Sequence, residues 1–524
     1  MMKYFQNLTE ERHQFFNFKL DMSASKEELA KFGYLTRDEE LNYLQEVSDI
    51  CIRNTKKYSD SEEKVLNFLH PEELSTKIDI SLRRESSNPD EMKSILEKVF
   101  KFSVHTMSPN FYQQLFYWGD CWGIGGQWVA EILNTSAYTY EMSPVFTIME
   151  KEVIKEALKL WNFPSTGEGY ICHGGAQSML FALNVARNQY YPQVKTKGAS
   201  SMPNVDIYTS EEGHYSLEKS ASIIGIGSES IVPVETDDLG IMKMDALKAA
   251  ISKTLANGRV PFYINATAGT TVTDAYDPIN EIANLCEKHR IWLNIDGAFG
   301  GSLIFSNKHR HLLKGAHRAN SVVWDFHKML GAPLPCSVLL LRESGQLKAA
   351  QGISVGYLFA GKKHYDVDYD LGNLSIQCGR KIDNFKVWMA WKARGSNGFE
   401  AHVDKLYENA EYFLNKIKSR DDFRLVFPKA EPRLKICFWY LPPWLQKKTL
   451  NEEDKKYLNA VTHKIKEVYV YEGLLYLATQ PLKKHPFFFR IVIIDPRKGP
   501  RELDRVISIF SDIGSKLKKE DFNV

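Results

Sequence analysis

Polar side chains stand where predicted strands end, at positions where they could do chemistry together. The stretch "SVVWDFHKML" is an apolar strand that runs into His327 and Lys328. Another, "IWLNIDGAFGG", places Asp296 directly after a strand, and "TSEEGHYS" places His214 after a third. A buried lysine must be paired, neutralised or chemically used, because an isolated buried charge is too costly. Ligand sites of open α/β sheets lie at the carboxyl ends of the strands, so these groups are candidate site residues.

A glycine turn before a helix adds a candidate anion site. In "GYICHGGAQSMLFALNVAR", Gly174 and Gly175 lead from a strand into a helix. The glycines let the backbone approach a ligand, and the free N–H groups near Ala176 and Gln177 would attract a phosphate. Taken alone this signal is weak, since most such turns are merely turns, and Asp296 taken alone could be a helix cap.

Together, a phosphate cradle, a carboxylate and a lysine are the groups that pyridoxal phosphate requires. Lys328 could form the imine with the aldehyde, and Asp296 could pair with the pyridinium nitrogen. His214 is available to stack on the ring. The residues therefore predict a pyridoxal-phosphate site.

The elements that must position these groups form an α/β fold. From about 165 to 345, short β-rich runs alternate with helical stretches, which predicts parallel β-α-β units; "CSVLLL" is apolar throughout, as suits a sheet covered on both faces. We expect a helical segment over 1–110, a large cofactor-binding domain with a mostly parallel sheet over 111–386, and a small α/β domain over 387–524.

Composition excludes several classes of protein. The 524 residues are 44% hydrophobic with a formal net charge of +2, which gives no reason to expect a nucleic-acid or charged-membrane partner. Seven cysteines without a Cys-x-x-Cys pair argue against a disulfide framework or a structural zinc site and favour a reducing cytoplasm. The N-terminus "MMKYFQNLTEERHQFF" lacks the apolar core of a signal peptide, and no apolar run reaches the roughly 20 residues of a membrane span.

Longer stretches resemble the pyridoxal-phosphate-dependent group II decarboxylases, in particular glutamate decarboxylase and the cysteine sulfinate and acidic amino acid decarboxylases. The matching stretches include "NTSAYTYEMSPVFTIME", "HYSLEKSASIIGIG", "PFYINATAGTTVTDAYDPINEIANLCEKH", "IDGAFGGSLIFSNKHRHLLKGAHRANSVVWDFHKML" and "FFFRIVI". They occur in the family's order from about 90 onward. The resemblance implies a fold type I (aspartate aminotransferase-like) enzyme that decarboxylates a small acidic amino acid, and a homodimer in which the N-terminal helices pack across the two-fold axis.

The resemblance also implies the roles of individual residues. Lys328 carries the cofactor, Asp296 pairs with its ring nitrogen, and His214 and Ala298 lie on the two faces of the ring. The implied cofactor-binding set is Gly175, Ala176, Gln177, His214, Thr271, Asp296, Ala298, His327 and Lys328.

Substrate binding and protonation are implied at three further positions. Gln114 in "FYQQLF" and Arg490 in "FFFRIV" would hold the distal carboxylate of the substrate, for which a planar guanidinium is suited. Tyr365 in "GKKHYDVDYDLG" matches the loop tyrosine that protonates the α-carbon, and it could reach the partner's active site. Without the resemblance, Arg490 would be a strand-edge charge and Tyr365 an exposed loop aromatic.

Some positions depart from the family pattern. His173 replaces a proline, Gly297 an alanine, and Asp325 and Phe326 an Asn-Pro pair, while the loop "YLFAGKK" lacks the usual glutamine and aspartate after Phe359. A carboxylate at 325 that pointed inward would repel the phosphate, so we expect it to point outward.

The sequence restricts the choice of substrate less than it restricts the choice of reaction. Trp118 stands where the family has a small residue and is expected to shorten the pocket, which favours aspartate or cysteine sulfinate. Glutamate is one methylene longer, a difference of about 1–3 kcal/mol, and stays a candidate.

Two alternatives remain open. One is a related enzyme with another outcome, an aldehyde-forming enzyme or an aromatic amino acid decarboxylase; Tyr365 argues against the first and Arg490 against the second. The other is an inert homologue that acts as a binding partner, a reading motivated by Asp325 and His173.

Overall fold

The computed structural model describes residues 26–31, 33–353, 363–428, 433–482 and 485–522. The chain divides into two compact units, Met1–Asp60 with Asn67–Ser103 and Ser61–Leu66 with Val104–Val524. The N-terminal stretch considered for a signal peptide and the loop around Phe359 lie outside the described residues.

Helices make up the regular structure described in the first unit. They span Lys26–Lys31, Arg37–Tyr58, Pro71–Lys77 and Pro89–Phe102. Capping boxes begin the two long helices, Thr36 with Glu39 in one and Asn88 with Glu91 in the other. These two helices pack together, and Lys93 of the second lies 2.6 Å from Glu46 of the first. The expected N-terminal helices are present in the described residues, whereas the helical segment over 1–110 stays a prediction.

A seven-stranded sheet forms the centre of the second unit, as far as the described residues show. Its strands are β1 (Glu168–Cys172), β2 (Val205–Ser210), β3 (Ile231–Val234), β4 (Val260–Thr267), β5 (Trp292–Asp296), β6 (Ser321–Asp325) and β7 (Ser337–Leu341). The spatial order is β1-β7-β6-β5-β4-β2-β3, and β3, β2, β4, β5 and β6 are parallel. The expected α/β class with a mostly parallel sheet is confirmed.

The strand β7 is the exception to the parallel arrangement, because it runs antiparallel to both of its neighbours, β1 and β6. Two reversals of direction restore the original one, so β1 runs the same way as β6. The glycine turn after β1 therefore lies at the same edge of the sheet as the ends of β5 and β6.

Helices cover both faces of this sheet, so β5, β6 and β7 are buried along their whole length. The helix Gly175–Tyr190 packs on β6 and β7 on one face, and Pro144–Leu160 packs on β1 and β7. The other helices of this region span Cys121–Leu133, Val194–Lys197, Ser216–Ile223, Met244–Ala256, Ile279–His289 and Gln346–Gln351.

A second, antiparallel sheet lies toward the C-terminus. Its described strands are β8 (Phe423–Leu425), β9 (Lys435–Tyr440), β10 (Ala478–Leu482) and β11 (His485–Val492), in the order β10-β11-β9-β8. The accompanying helices span Asp383–Lys418, Glu452–Glu472 and Pro500–Gly514. The first of them leaves helical geometry at Gly395 and runs through position 386; the proposed domain boundaries at 110 and 386 stay predictions.

Candidate active site

A cavity of about 190 Å³ opens at the carboxyl edge of the large sheet. The sheet topology explains its position, since the ends of β1, β4, β5 and β6 all meet there. It is lined by the predicted residues Gly175, Ala176, His214, Thr271, Asp296, Ala298, His327 and Lys328.

The glycine turn forms one end of the cavity. Gly174 has φ of +105°, a left-handed conformation that favours glycine, and the helix Gly175–Tyr190 begins directly after it. The N–H groups of Gly175 and Ala176 make no hydrogen bond within the described part of the chain. The N–H of Gln177 donates to Gly174 O, and its side chain accepts from His173 N at 2.7 Å. Two free amides at a helix start are suited to a phosphate.

Asp325 faces this turn, so the expectation that its carboxylate points outward is wrong. A Cβ atom placed on Gly175 would lie 2.8 Å from both carboxylate oxygens of Asp325, and the residue lines the cavity. Ser337 Oγ donates to Oδ1, and Lys328 Nζ lies 3.0 Å from Oδ2. Burial is the largest single influence and opposes ionisation, but the charges of Lys328 and His327 and the hydrogen bonds from Ser337 and Lys328 together hold the pKa of Asp325 below its usual value.

Lys328 and His327 stand in the turn that follows β6. The Lys328 side chain is 20% exposed and reaches the cavity. His327 is buried, its Nδ1 donates to Cys336 O at 2.7 Å, and burial lowers its pKa, so it is neutral near pH 7.

Asp296 ends β5 and is 6% exposed, with Ala298 N–H donating to its Oδ1 at 3.2 Å. Burial raises the pKa of this carboxyl, against the charges of Lys328 and His214. No cationic side chain of the described residues lies within salt-bridge distance of it. A protonated ring nitrogen would supply the missing partner.

His214 follows β2 and lines the same cavity as Ala298. Ser216 N donates to His214 Nδ1 at 3.3 Å, which makes this nitrogen an acceptor. Burial lowers the pKa of His214, so a neutral ring faces the cavity. A neutral imidazole is suited to packing against a flat aromatic ring.

Arg490, on β11, is buried next to this cavity without being part of its lining. Its Nη atoms donate to Thr271 O and Gln113 O, both at 2.8 Å. Its Nε has no hydrogen-bond partner, and no carboxylate pairs with it, among the described residues. Burial lowers the pKa of this guanidinium, the expected response of a buried cation without a counter-ion.

Three residues expected near the substrate lie elsewhere. Gln114 is exposed and borders a separate small cavity with Tyr112 and Lys498. Trp118 packs against the guanidinium of Arg497 at 5.5 Å and does not line the Lys328 cavity, so the structure does not show the expected shortening. Leu115 occupies the wall instead.

Tyr365 is the third residue that the structure does not bring to Lys328. Its hydroxyl donates to Asp370 Oδ1 at 3.0 Å and accepts from Lys363 Nζ at 2.9 Å. Its ring packs on Tyr140, with ring centroids 4.9 Å apart. Its role in protonation stays a prediction.

The other departures from the family pattern are accommodated locally. His173 Nδ1 lies 2.5 Å from Asp383 Oδ2, and Phe326 is fully buried against Trp324. Neither removes a group from the cavity.

Sequence reasoning missed several residues of the site. Thr267, at the end of β4, lines the cavity, and its buried Oγ1 has no partner among the described residues. Its position at a strand end was a usable signal. Phe299 and Met179 also line the cavity and carried no such signal. The free amides, the unpartnered Thr267 hydroxyl and the unpaired Asp296 fit a phosphorylated pyridine cofactor; the Asp325 carboxylate is the one lining group that opposes it.

Comparison with known proteins identifies the family. The profile of the pyridoxal-dependent decarboxylase conserved domain matches residues 71–441, which is more than half of the chain. The chain belongs to this family. It is a pyridoxal-phosphate-dependent amino acid decarboxylase of fold type I, and the alternative of an inert partner is not supported.

Solved structures agree with this assignment. Mouse cysteine sulfinic acid decarboxylase (CSAD) matches with a TM-score of 0.89 and 37% identity, covering 92% of this chain and 100% of the mouse chain. Its apo form gives 0.88 with the same identity and coverage. A rice structure entitled "TDC with PLP and tryptamine" gives 0.81 at 23% identity, covering 92% of this chain and 99% of the other, which bears on the fold alone.

Proposed function

We propose that this decarboxylase acts on a small acidic amino acid, with aspartate, cysteine sulfinate and glutamate as the candidates. Arg490 carries this proposal, because it is a buried guanidinium beside the cavity that has no counter-ion among the residues the structure describes. A buried cation of this kind favours an anionic group, and its planar shape suits two-point binding of a carboxylate or sulfinate. The 37% identity to mouse CSAD supports an acidic substrate over an aromatic one.

Pyridoxal phosphate supplies, when bound, an aldehyde for an amine and a ring that accepts the electrons of the broken bond. Lys328 would hold the aldehyde through its amine Nζ. The buried carboxylate of Asp296 would keep a proton on the ring nitrogen, and His214 and Ala298 would lie against the ring. Arg490 holds the distal carboxylate, which orients the α-carboxylate, while the walls formed by Leu115 and Phe299 exclude water.

The substrate class is tested by measuring carbon dioxide release from aspartate, cysteine sulfinate, glutamate and tyrosine with the wild type, Arg490→Lys and Arg490→Gln. We expect release from at least one acidic substrate, and kcat/KM lowered by on the order of a hundredfold in Arg490→Gln and less in Arg490→Lys. Release from tyrosine alone, or equal activity of the two variants and the wild type, would contradict the proposal. Arg497→Lys, at a partly exposed arginine outside the cavity lining, is the matched control.

Protonation at the α-carbon is proposed for Tyr365. The polar contacts with Lys363 and Asp370 hold its hydroxyl in a defined place, and a loop acid can reach its target on closure even when apo distances are long. Tyr365→Phe should divert the substrate to transamination or oxidation products, whereas Tyr369→Phe in the same loop should not. Unchanged amine yield in Tyr365→Phe would remove it from the mechanism.

A homodimer is proposed as the working form. Exposed apolar side chains cluster on the helices Cys121–Leu133 and Pro144–Leu160, namely Trp122, Trp128, Val129, Ile132, Leu133, Val145 and Ile148. Apolar patches of this kind mark protein interfaces, and a second copy would cover both patches at once. Sedimentation should show a dimer that Ile132→Glu weakens. An active, monodisperse monomer would overturn this proposal.

The cytoplasm is the proposed location. All seven cysteines, each within the described residues, are free. No helix in the described ranges is long and apolar enough to cross a membrane. Fractionation of cells that express the chain would test this location.

A further inference from the structure

The carboxylate of Asp325 occupies the corner of the cavity where a phosphate would bind. It lies against Gly175, whose free N–H group and that of Ala176 are the amides available to a phosphate. Asp325 is 2% exposed, so its charge is poorly screened by water. Any anion bound to these amides therefore lies close to a buried carboxylate.

Compensation for this second negative charge is limited. Lys328 is the one ammonium within salt-bridge distance of Asp325 among the described residues, and this is the amine that the reaction uses. His327 Nε2 lies 3.7 Å away, but its buried ring is neutral near pH 7. Ser337 contributes one hydroxyl hydrogen bond. A doubly charged phosphate would thus be repelled in this corner.

A singly charged phosphate differs in kind, because its remaining P–O–H group can donate a hydrogen bond to the carboxylate. We propose that Asp325 selects the protonation state of the cofactor's phosphate, so that the group binds as a monoanion sharing its proton with Asp325. The phosphate then adds less to affinity as the pH rises. This inference rests on the cofactor of the family and is independent of the substrate.

Among the groups near Asp325, the bound phosphate is the one that we expect to titrate between about pH 6 and pH 8. Those within its electrostatic reach are Lys328, His327, Ser337, Cys172, Cys336, Asp296 and His214. Burial raises the pKa of Cys172 to about 12 and raises that of Cys336 as well, so both thiols are neutral. A phosphate ester loses its second proton with a pKa of about 6 in water, inside the range where enzymes are assayed.

The test compares pyridoxal phosphate with pyridoxal, which lacks the phosphate but carries the same aldehyde and ring. Dissociation constants are measured by quenching of tryptophan fluorescence at about pH 6 and about pH 8, the two sides of the phosphate titration. The ratio Kd(pyridoxal)/Kd(pyridoxal phosphate) isolates the contribution of the phosphate, because changes at Lys328 and Asp296 affect both aldehydes alike.

In the wild type, the ratio should be smaller at the higher pH. At the higher pH, the ratio in Asp325→Asn should be about tenfold larger than in the wild type. In this variant, the ratio should also no longer decrease as the pH rises. Asp206→Asn, at a buried carboxylate paired with Arg259 at the start of β2, is the matched control and should keep the wild-type ratio.

A second measurement reads the proton directly and needs no variant. The ³¹P resonance of bound pyridoxal phosphate should keep the monoanion shift in the wild type at the higher pH, and move to the dianion shift in Asp325→Asn. A dianion shift in the wild type would overturn the proposal. Equal changes in the dissociation constants of both aldehydes on replacing Asp325 would also overturn it, because Asp325 would then act only through Lys328.

Discussion

Two lysines near the cavity, the buried Lys435 and the half-buried Lys328, have opposite surroundings. Lys435, the first residue of β9, is fully buried, and its ammonium meets Thr270 O at 2.7 Å, Gly269 O at 3.3 Å and Asp274 Oδ1 at 3.4 Å. Lys328 is 20% exposed, and Asp325 is its one salt-bridge partner in the described chain. A lysine that uses all its hydrogen-bond donors on backbone carbonyls and a carboxylate is a structural residue. A lysine beside a cavity with unused donors is available for chemistry.

Burial lowers the pKa of Lys435 to about 7, with the ring of Phe299 3.4 Å from its Nζ. Lys435 donates to carbonyl groups of the loop that carries Thr271. The carbonyl of Thr271 in turn accepts a hydrogen bond from Arg490. Lys435 thereby stabilises the loop between the cavity and the buried guanidinium, without itself reaching the cavity.

The largest expected effect is at Lys328. Lys328→Arg keeps a positive charge beside Asp325 but removes the amine that condenses with the aldehyde, so kcat should fall by on the order of a thousandfold or more. The visible absorption of the imine and borohydride trapping should disappear with it. Lys435→Arg is the control, because that lysine does not line the cavity. Substantial turnover by Lys328→Arg would contradict the assignment of the reactive amine.

The next effect concerns stability. Below pH 7, where Lys435 is charged, Lys435→Met leaves Asp274 buried without its cation and two carbonyls without a donor, and should lower the free energy of unfolding in urea by about 3–5 kcal/mol. The double variant with Asp274→Asn should recover part of this loss. Activity per folded molecule should fall far less than in Lys328→Arg. A stability equal to the wild type would mean that Lys435 is not a structural residue.

The smallest effect, taken per pH unit, is a dependence of stability on pH. Above a pKa of about 7 the folded chain holds Lys435 neutral, whereas the unfolded chain keeps this side chain protonated up to its ordinary pKa of 10.5. Since the unfolded state then binds the extra proton, stability rises with pH in this window, by at most about 1.4 kcal/mol per pH unit. Urea unfolding at intervals across the window should therefore show the wild type gaining stability over Lys435→Met. A constant difference would contradict the lowered pKa.

Much of this arrangement could be predicted from the sequence, because polar residues at strand ends are conspicuous against apolar strands. Lys328, Asp296, His214 and the glycine turn were found in that way and share one cavity. The direction of β7 was not, since "CSVLLL" is apolar whether its neighbours are parallel or antiparallel. The short connection over 326–336, which contains no helix, was the available signal.

The orientation of Asp325 depends on tertiary packing, which the periodicity of the sequence does not reveal. Alternation places Asp325 on the same face of β6 as Val323, but the sequence does not say which face the helix Gly175–Tyr190 covers. Val323 packs in the cluster of that helix, so Asp325 is turned toward Gly175. Tyr365 is similar, because its ring packs on Tyr140, a residue far from it in sequence.

The antiparallel setting of β7 has a mechanical consequence for Lys328. The segment between β6 and β7 joins two adjacent strands, and both of its ends are held by the same hydrogen-bonded ladder, from Ser321 with Leu341 to Asp325 with Ser337. A loop clamped at both ends has little freedom to swing. We therefore expect Lys328, the residue proposed to carry the reactive amine, to move little during turnover.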